Sequence, residues 1–509
     1  MTIKRNSAID AMFVASAVLI ALLLGFANLG KPSLWHDEAV QVFVSKSIVD
    51  VGRALLPSGH SHPVAPVFNG IMALFIRFFG DSEVVVRSPS VFFSAINVLL
   101  TYLVIRPLLG RGAAIVAAFA LALSPWSVAW ARQARFYSAQ QTTYLLLLWA
   151  GWRAISAETL RASIGFASTA LCAYLVGLGM SLHSILFLGQ IGAYAFFMMV
   201  HERGLKNRWT LICAISGIVV GLTILVYYLA LPPMDARVIF TAMKPIDIYG
   251  DPAQTSRLYY ASWLSDNLGS GFFILAAMGL IAMTARERSK GLFAALAFII
   301  PLFALSFLIG YRRHRFLLFA FPLYTAAFSY GAVFVAEYIR DTWKRRSERS
   351  WGRFVIVGVL ALFSARLVLS AALLVRDSIE VAHGADTTLA TRHPQFREPC
   401  LYAREHLTPE IAVITDTYVT ALYYIGRVDN WFPSRFCDWE SWEIGFDGLR
   451  TVDELKTFIA EHPKGYFLAE WCRFQLYNEV KPDRDWVNAN MKRIPEASTG
   501  DVTLYSWGM

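Results

Sequence analysis

Apolar positions in this chain fall into long runs broken by short polar, mostly basic stretches. Runs able to cross a bilayer as helices of roughly 20 residues cover Ile9 to Gly30, Pro89 to Leu108, Gly112 to Val128, Tyr137 to Ile155, Ser163 to Met180, Ile185 to Val200, Thr210 to Leu231, Gly271 to Met283, Leu292 to Ile309, Phe316 to Ile339 and Phe354 to Val375. They predict an α-helical, multi-pass membrane protein with about eleven transmembrane helices. The first run has a basic start but is long, with no A-x-A-like site after it, so it reads as a retained span.

A shorter segment, Val64 to Phe79, carries Pro66, Asn69, Gly70 and Arg77. If it lies along the interface, Lys4, Arg5, Arg106, Arg111, Arg153, Arg161, Arg203, Arg286, Lys290 and the 344–353 basic run all fall on one side, the cytoplasmic one. If it spans, Lys4 and Arg5 part from every later basic loop. The segment is therefore expected to be a juxtamembrane or re-entrant helix, with the N-terminus cytoplasmic. Residues 31–81, 129–135, 181–184, 232–270, 311–315 and everything past Arg376 then fall on the outer side of the membrane.

Beyond Val375 the hydrophobic density drops to that of a soluble domain, giving expected boundaries of 1–376 for the membrane domain and 377–509 for an outer-face α/β domain. Ile411 to Thr415 and Tyr466 to Ala469 read as short buried strands. Arg397 to His406, Val452 to Glu461 and Asp485 to Met491 read as helices.

Composition agrees: 56% hydrophobic and 16% charged residues exclude most soluble classes. The net charge of +9 is dispersed in clusters between spans, a topology signal and no nucleic-acid face. Cys172 and Cys213 fall in apolar helices as core residues, while Cys400, Cys437 and Cys472 would allow one disulfide whose pairing the sequence leaves open.

Carboxylates are costly near spans, which makes Asp37 and Glu38, directly after the first run, informative. They would cap the amphipathic helix Ala39 to Ile48. The functional alternative is a base for an acceptor hydroxyl, with Asp37 meeting the substrate and Glu38 holding the loop or a cation. In the next outer loop Arg132 and Arg135, three apart, would share a helical face with Tyr137 nearby. They fit a phosphate or sugar, against interfacial snorkelling as the alternative. Arg312, Arg313, His314 and Arg315 form a cationic cluster on the same side, suited to a lipid phosphate, against head-group binding without catalysis. His36, His62, His183 and Tyr249 are further substrate-pocket candidates, each histidine having a structural alternative.

The series Trp35-His-Asp-Glu38, surface helix, His62-Pro-Val-Ala-Pro66, Gly80, Arg87-Ser-Pro-Ser90, Leu108-Leu-Gly-Arg-Gly112, Ala122-Leu-Ser-Pro125 and Ala131-Arg-Gln-Ala-Arg-Phe-Tyr-Ser138 resembles the bacterial branch of the dolichyl-phosphate-mannose protein mannosyltransferase superfamily, which includes the aminoarabinose lipid A transferases. The resemblance covers about Ile9 to Leu231. It implies the GT-C fold with juxtamembrane helices in the first outer loop and an essential acid at Asp37. It also implies a polyprenyl-phosphate-sugar donor, inversion at the anomeric carbon, and an outer-face glycan, lipid or protein acceptor, in envelope or lipopolysaccharide biogenesis. Several relatives carry a second acid where this chain has Arg132, Gln133 and Arg135, so no tightly bound cofactor is expected, and at most a loose Mg²⁺ or Mn²⁺ at Asp37. A lipid-linked sugar flippase or a non-catalytic lipid-binding scaffold would share the spans and arginines but would not need Asp37.

Overall fold

The structure is a computed structural model describing residues 2–201, 212, 215–223, 255–344, 351–385, 389, 393–433, 442–470 and 480–509. Its helices, in chain order, are α1 (Thr2–Phe26), α2 (His36–Val51), α3 (Pro66–Phe79), α4 (Glu83–Leu109), α5 (Arg111–Ala122), α6 (Pro125–Ala131), α7 (Tyr137–Ile155), α8 (Leu160–Leu178), α9 (Phe187–His201), α10 (Tyr259–Leu268), α11 (Ser270–Glu287), α12 (Ser289–Phe307), α13 (Phe321–Lys344), α14 (Trp351–Ala382), α15 (Arg397–Glu405), α16 (Tyr418–Ile425), α17 (Val452–Glu461) and α18 (Lys481–Asn490). Five strands, β1 (Ile411–Thr415), β2 (Asn430–Trp431), β3 (Lys464–Glu470), β4 (Lys492–Arg493) and β5 (Val502–Trp507), are described, with short 3-10 helices at Leu182–Leu186, His314–Ala320 and Pro495–Ala497.

Among the described residues seven helices are long and apolar enough to cross a membrane, or eight if one bent pair counts as a span. That bent pair corrects the continuous span expected over Gly112 to Val128: α5 and α6 meet at 55°, because Pro125 starts a new helix and has no N–H to continue the old one. Tyr137 to Ile155 forms a helix with the expected bounds but falls outside the seven. Its buried Gln140, Gln141, Thr142 and Thr143 make it polar, and Gln141 Nε2 donates to the Leu318 carbonyl at 2.6 Å. Most of the expected span Thr210 to Leu231 lies outside the described residues, as do Cys213, Cys437 and Cys472. Cys400 is a buried free thiol, and Cys172, expected in the core, is exposed.

The chain divides into two compact units. The first, Met1–Ala27, Ser90–Arg132 and Phe136–His383, is helical. Its helices pack where small residues let backbones meet: a Cβ at Gly279 in α11 would overlap the Ala327 carbonyl of α13, and one at Gly331 would overlap that of Leu275.

The second unit, Asn28–Pro89, Gln133–Arg135 and Gly384–Met509, is built on a five-stranded sheet of order β2-β1-β3-β5-β4. β1 runs parallel to β2 and β3, and β5 runs antiparallel to β3 and β4. The central strands are covered on both faces, which is why they read as unbroken apolar runs. Alternate residues serve opposite cores: Val413, Tyr466 and Leu468 on one side, Ala412, Ile414 and Phe467 on the other. The first of these cores also takes in Ala39, Val40 and Val44 of α2 and Leu56 of the following loop. The first outer loop is thus a structural part of the sheet unit. Val64 to Phe79 contains the short helix α3, which follows α2 within this unit and has 14 residues.

Candidate active site

The second unit holds the acidic pair at the start of α2, where unpaired helix N–H groups favour negative charge. The two carboxylates have opposite environments. Glu38 is 0% exposed. Its Oε1 accepts from Arg87 Nε at 2.8 Å and from the Ala134 backbone N–H at 2.6 Å, and its Oε2 accepts from Arg87 Nη2 at 2.7 Å. His393 Nδ1 lies 3.4 Å away. Burial pushes this carboxyl up, but the Arg87 charge and its hydrogen bonds, His393 and the Ala134 N–H together hold it below the usual carboxylate range. The arginine's remaining donors reach the carbonyls of Leu29, Pro32 and Ser33 at 2.9, 2.8 and 3.0 Å.

Glu38, given above the role of holding the loop or a cation beside Asp37, is buried and ties together three separate stretches: the start of α2, the start of α4 and residues 133–135. Arg87, Ala134 and His393 were not singled out as site residues from the sequence. The signal for Arg87 was present, since a cation in the first turns of a helix opposes the dipole and asks for an anion.

Asp37 is 27% exposed at its side chain. Its Oδ2 sits 3.2 Å from Arg135 Nη2, and Arg135 Nη1 donates to the Asp37 backbone carbonyl at 3.1 Å. The guanidinium also lies 5.9 Å from the Trp35 ring centroid, which limits its rotation. His36 Nε2 is 2.9 Å from Glu443 Oε2. His62 is buried, with Gln41 Nε2 at 3.4 Å from its Nε2.

Arg132 and Arg135 do not share a helical face as expected, because residues 132–136 form a non-helical link between α6 and α7. Arg135 serves Asp37 in the second unit. Arg132, in the first unit, directs Nη1 to the terminal carbonyls of α1: Leu24 at 3.2 Å, Gly25 at 3.1 Å, and Ala27. Its described contacts are those of a helix C-cap.

The first unit gathers the cationic loop onto an aromatic floor. Arg315 lies 5.9 Å from the ring centroids of both Trp130 and Tyr137 and 5.8 Å from that of Phe316. His183 stacks on Phe316 at 4.2 Å, and His314 stacks on Trp263 at 4.8 Å with an interplanar angle of 6°. Arg313 Nε donates to the Tyr311 hydroxyl at 3.2 Å. Arg312 is buried and donates to the carbonyls of Ser306 at 2.9 Å and Thr255 at 3.1 Å, which corrects its reading as a simple phosphate contact. Within the same unit an apolar cavity of about 330 Å³ is lined by Phe119, Leu268, Phe272, Tyr324, Phe328 and Leu374, among others. Tyr249 lies outside the described residues.

No group of three or more His, Cys, Asp or Glu side chains among the described residues is placed to hold a metal ion. Glu38 is occupied by Arg87, so among the described residues Asp37 would be a lone carboxylate ligand, and these residues do not form a divalent-cation cage.

The fold is the GT-C fold that the sequence resemblance implied, shared with the solved membrane proteins named next. Residues 61–232 match the family described as dolichyl-phosphate-mannose-protein mannosyltransferase. The chain is similar in structure to ArnT from Cupriavidus metallidurans in the apo state, with a TM-score of 0.63 at 13% identity over 99% of this chain and 98% of that one. The same protein bound to undecaprenyl phosphate gives a TM-score of 0.65 at 13% identity, over 97% of each chain. The archaeal oligosaccharyltransferase AglB from Archaeoglobus fulgidus, in complex with an inhibitory peptide and a dolichol-phosphate, gives 0.59 at 10% identity, covering 97% of this chain and 74% of that one. No curated protein sequence matches the chain.

Proposed function

We propose that this protein is an inverting glycosyltransferase that moves a sugar from a polyprenyl-phosphate carrier to a hydroxyl of an outer-face acceptor in the bacterial envelope. The observation that carries the reading is the asymmetry of the acidic pair. Glu38 is locked by Arg87, while its neighbour Asp37 keeps a partly exposed carboxylate fixed by Arg135.

In this reading Asp37 takes the acceptor hydroxyl proton as the acceptor oxygen attacks the anomeric carbon. The new glycosidic C–O bond forms as the bond from that carbon to the carrier phosphate breaks, and the phosphate departs with the electron pair. Single displacement inverts the centre. In the first unit, Arg315 and Arg313 are the side chains assigned to the carrier phosphate, on a loop with aromatic contacts. Arg132 and Arg312 support the scaffold in this assignment, since their described hydrogen bonds run to backbone carbonyls. The apolar cavity suits the isoprenoid chain, which needs no polar partner. No step passes through a metal.

Bound undecaprenyl phosphate in the ArnT structure and dolichol-phosphate in the AglB structure support a lipid-phosphate donor. An orientation with α2 and the sheet unit outside the cytoplasm, expected from the basic loops, supports the reading. Mass analysis of envelope glycans and lipids from cells with and without the protein tests the reading. A sugar missing from one acceptor in the deletion strain and restored by the gene supports transfer. Unchanged glycans together with a changed sidedness of a lipid-linked sugar would point to a flippase.

A further inference from the structure

Gln41 lies one helical turn beyond Asp37, and Ser45 one turn beyond that, so the three polar residues line one stripe of α2. Such a stripe is unusual on a helix whose neighbouring positions, Ala39, Val40 and Val44, pack into a hydrophobic core. Gln41 is 0% exposed and Ser45 is equally buried. Facing Gln41 is His62, 8% exposed, held by its backbone N–H on the Ala54 carbonyl at 2.9 Å.

The Gln41 to His62 contact leaves capacity over. With Gln41 Nε2 against His62 Nε2 at 3.4 Å, Gln41 Oε1 and His62 Nδ1 are both buried with no partner, as is Ser45 Oγ. Buried polar groups are almost always paired, so this residue asks for a ligand or a water. Its chemical type follows from counting donors. If the amide N–H donates to Nε2, the imidazole proton is on Nδ1, leaving one donor there and one acceptor at Oε1. If the amide is flipped, the imidazole donates to the amide oxygen, leaving one acceptor at Nδ1 and the two donors of the amide nitrogen. Either way the pair offers at least one donor and one acceptor. A hydroxyl can use both at once; a phosphate oxygen can only accept and an ammonium can only donate.

The position suits a substrate. Gln41, which contacts His62, lies one helical turn along α2 from the proposed base Asp37. Burial pushes the imidazole down to about 4, with Arg135 adding to burial and Glu443 and Asp37 opposing it, so the ring is neutral at physiological pH and keeps one N–H and one lone pair.

We propose that Gln41 and His62 form a buried recognition pair for one sugar hydroxyl beside Asp37, on the donor or the acceptor sugar. This rests on the transferase reading, and its test separates the two. The full chain in lipid nanodiscs is assayed with undecaprenyl-phosphate-linked hexoses and pentoses as donors and octyl glycosides as acceptors, and with the monodeoxy analogues of each. The wild type is expected to use one monodeoxy analogue about 10- to 100-fold less well in kcat/KM, because its missing hydroxyl leaves the pair unmatched. Whether that analogue is a donor or an acceptor names the source. His62→Phe and Gln41→Leu lose that discrimination while unfolding at the wild-type temperature, and His62→Gln, which keeps a donor and an acceptor, regains part of it. Wild-type indifference to every deoxy position, or variants that still discriminate in full, would overturn the proposal and leave the pair holding an internal water. A wild type that transfers no sugar from any donor would overturn the transferase reading itself.

Discussion

Glu38 and Arg87 meet through two parallel hydrogen bonds, Nε to Oε1 at 2.8 Å and Nη2 to Oε2 at 2.7 Å, with both side chains 0% exposed. The pair lies within the second unit, where it joins α2 to the first turns of α4 and, through the Ala134 N–H, to the segment that carries Arg135. Asp37 sits next to this ion pair, with its own carboxylate Oδ2 3.2 Å from Arg135 Nη2.

Removing one partner of a buried ion pair strands the other charge, a cost of about 3–5 kcal/mol. Arg87→Leu and Glu38→Gln are therefore expected to lower the unfolding midpoint of the detergent-solubilised protein by several degrees, with Arg87→Leu the more severe because it strands a carboxylate. Differential scanning fluorimetry of the purified variants reads this out. An unchanged midpoint in Arg87→Leu would show that the pair is not a structural tie.

The cationic loop separates charge from geometry. Arg315→Lys keeps the charge but loses the planar fork and its face contacts with Trp130 and Tyr137, and is expected to raise the donor KM about 10-fold. Arg312→Lys is expected to act on stability, since Arg312 donates to the Ser306 and Thr255 carbonyls. Donor titrations together with melting curves for both variants distinguish the roles. A donor-KM effect confined to Arg312→Lys would reverse the assignment.

Acid should loosen the second unit in two stages. His62 has a depressed folded-state value of about 4 against an ordinary 6.5, so between these pH values the unfolded chain binds a proton that the folded one refuses, and stability falls as pH falls through that window. Glu38 is held below its ordinary value of 4.5, so the stability it contributes is present above that pH and is lost further down, as pH falls through its depressed folded value. Melting temperatures measured from pH 7.5 to 4.5 should decline in the wild type. The decline should be shallower in His62→Gln. Parallel curves for the two proteins would show that His62 titrates normally.

Much of this was legible in the sequence, for identifiable reasons. Ile411 to Thr415 and Val452 to Glu461 match their elements residue for residue, because a two-sided buried strand and a capped amphipathic helix each leave a local pattern. Asp37 stood out because carboxylates are rare beside a membrane span. The errors came from long-range pairing. Nothing local reveals that Glu38 faces a guanidinium 49 residues away while Asp37 does not, or that Arg132 and Arg135 diverge because the helix between them is broken. The bend at Pro125 was misread because apolar content does not distinguish a straight span from two helices at 55°.

The central claim is that Asp37 is the base of a sugar-transfer reaction and has no structural duty comparable to that of Glu38. Asp37→Asn keeps size and hydrogen bonding but removes the negative charge. In the nanodisc assay with a polyprenyl-phosphate sugar the account predicts a fall in kcat of about 100- to 10,000-fold, with the melting temperature and donor KM near wild type. Turnover within a few-fold of wild type in a correctly folded Asp37→Asn protein would contradict it.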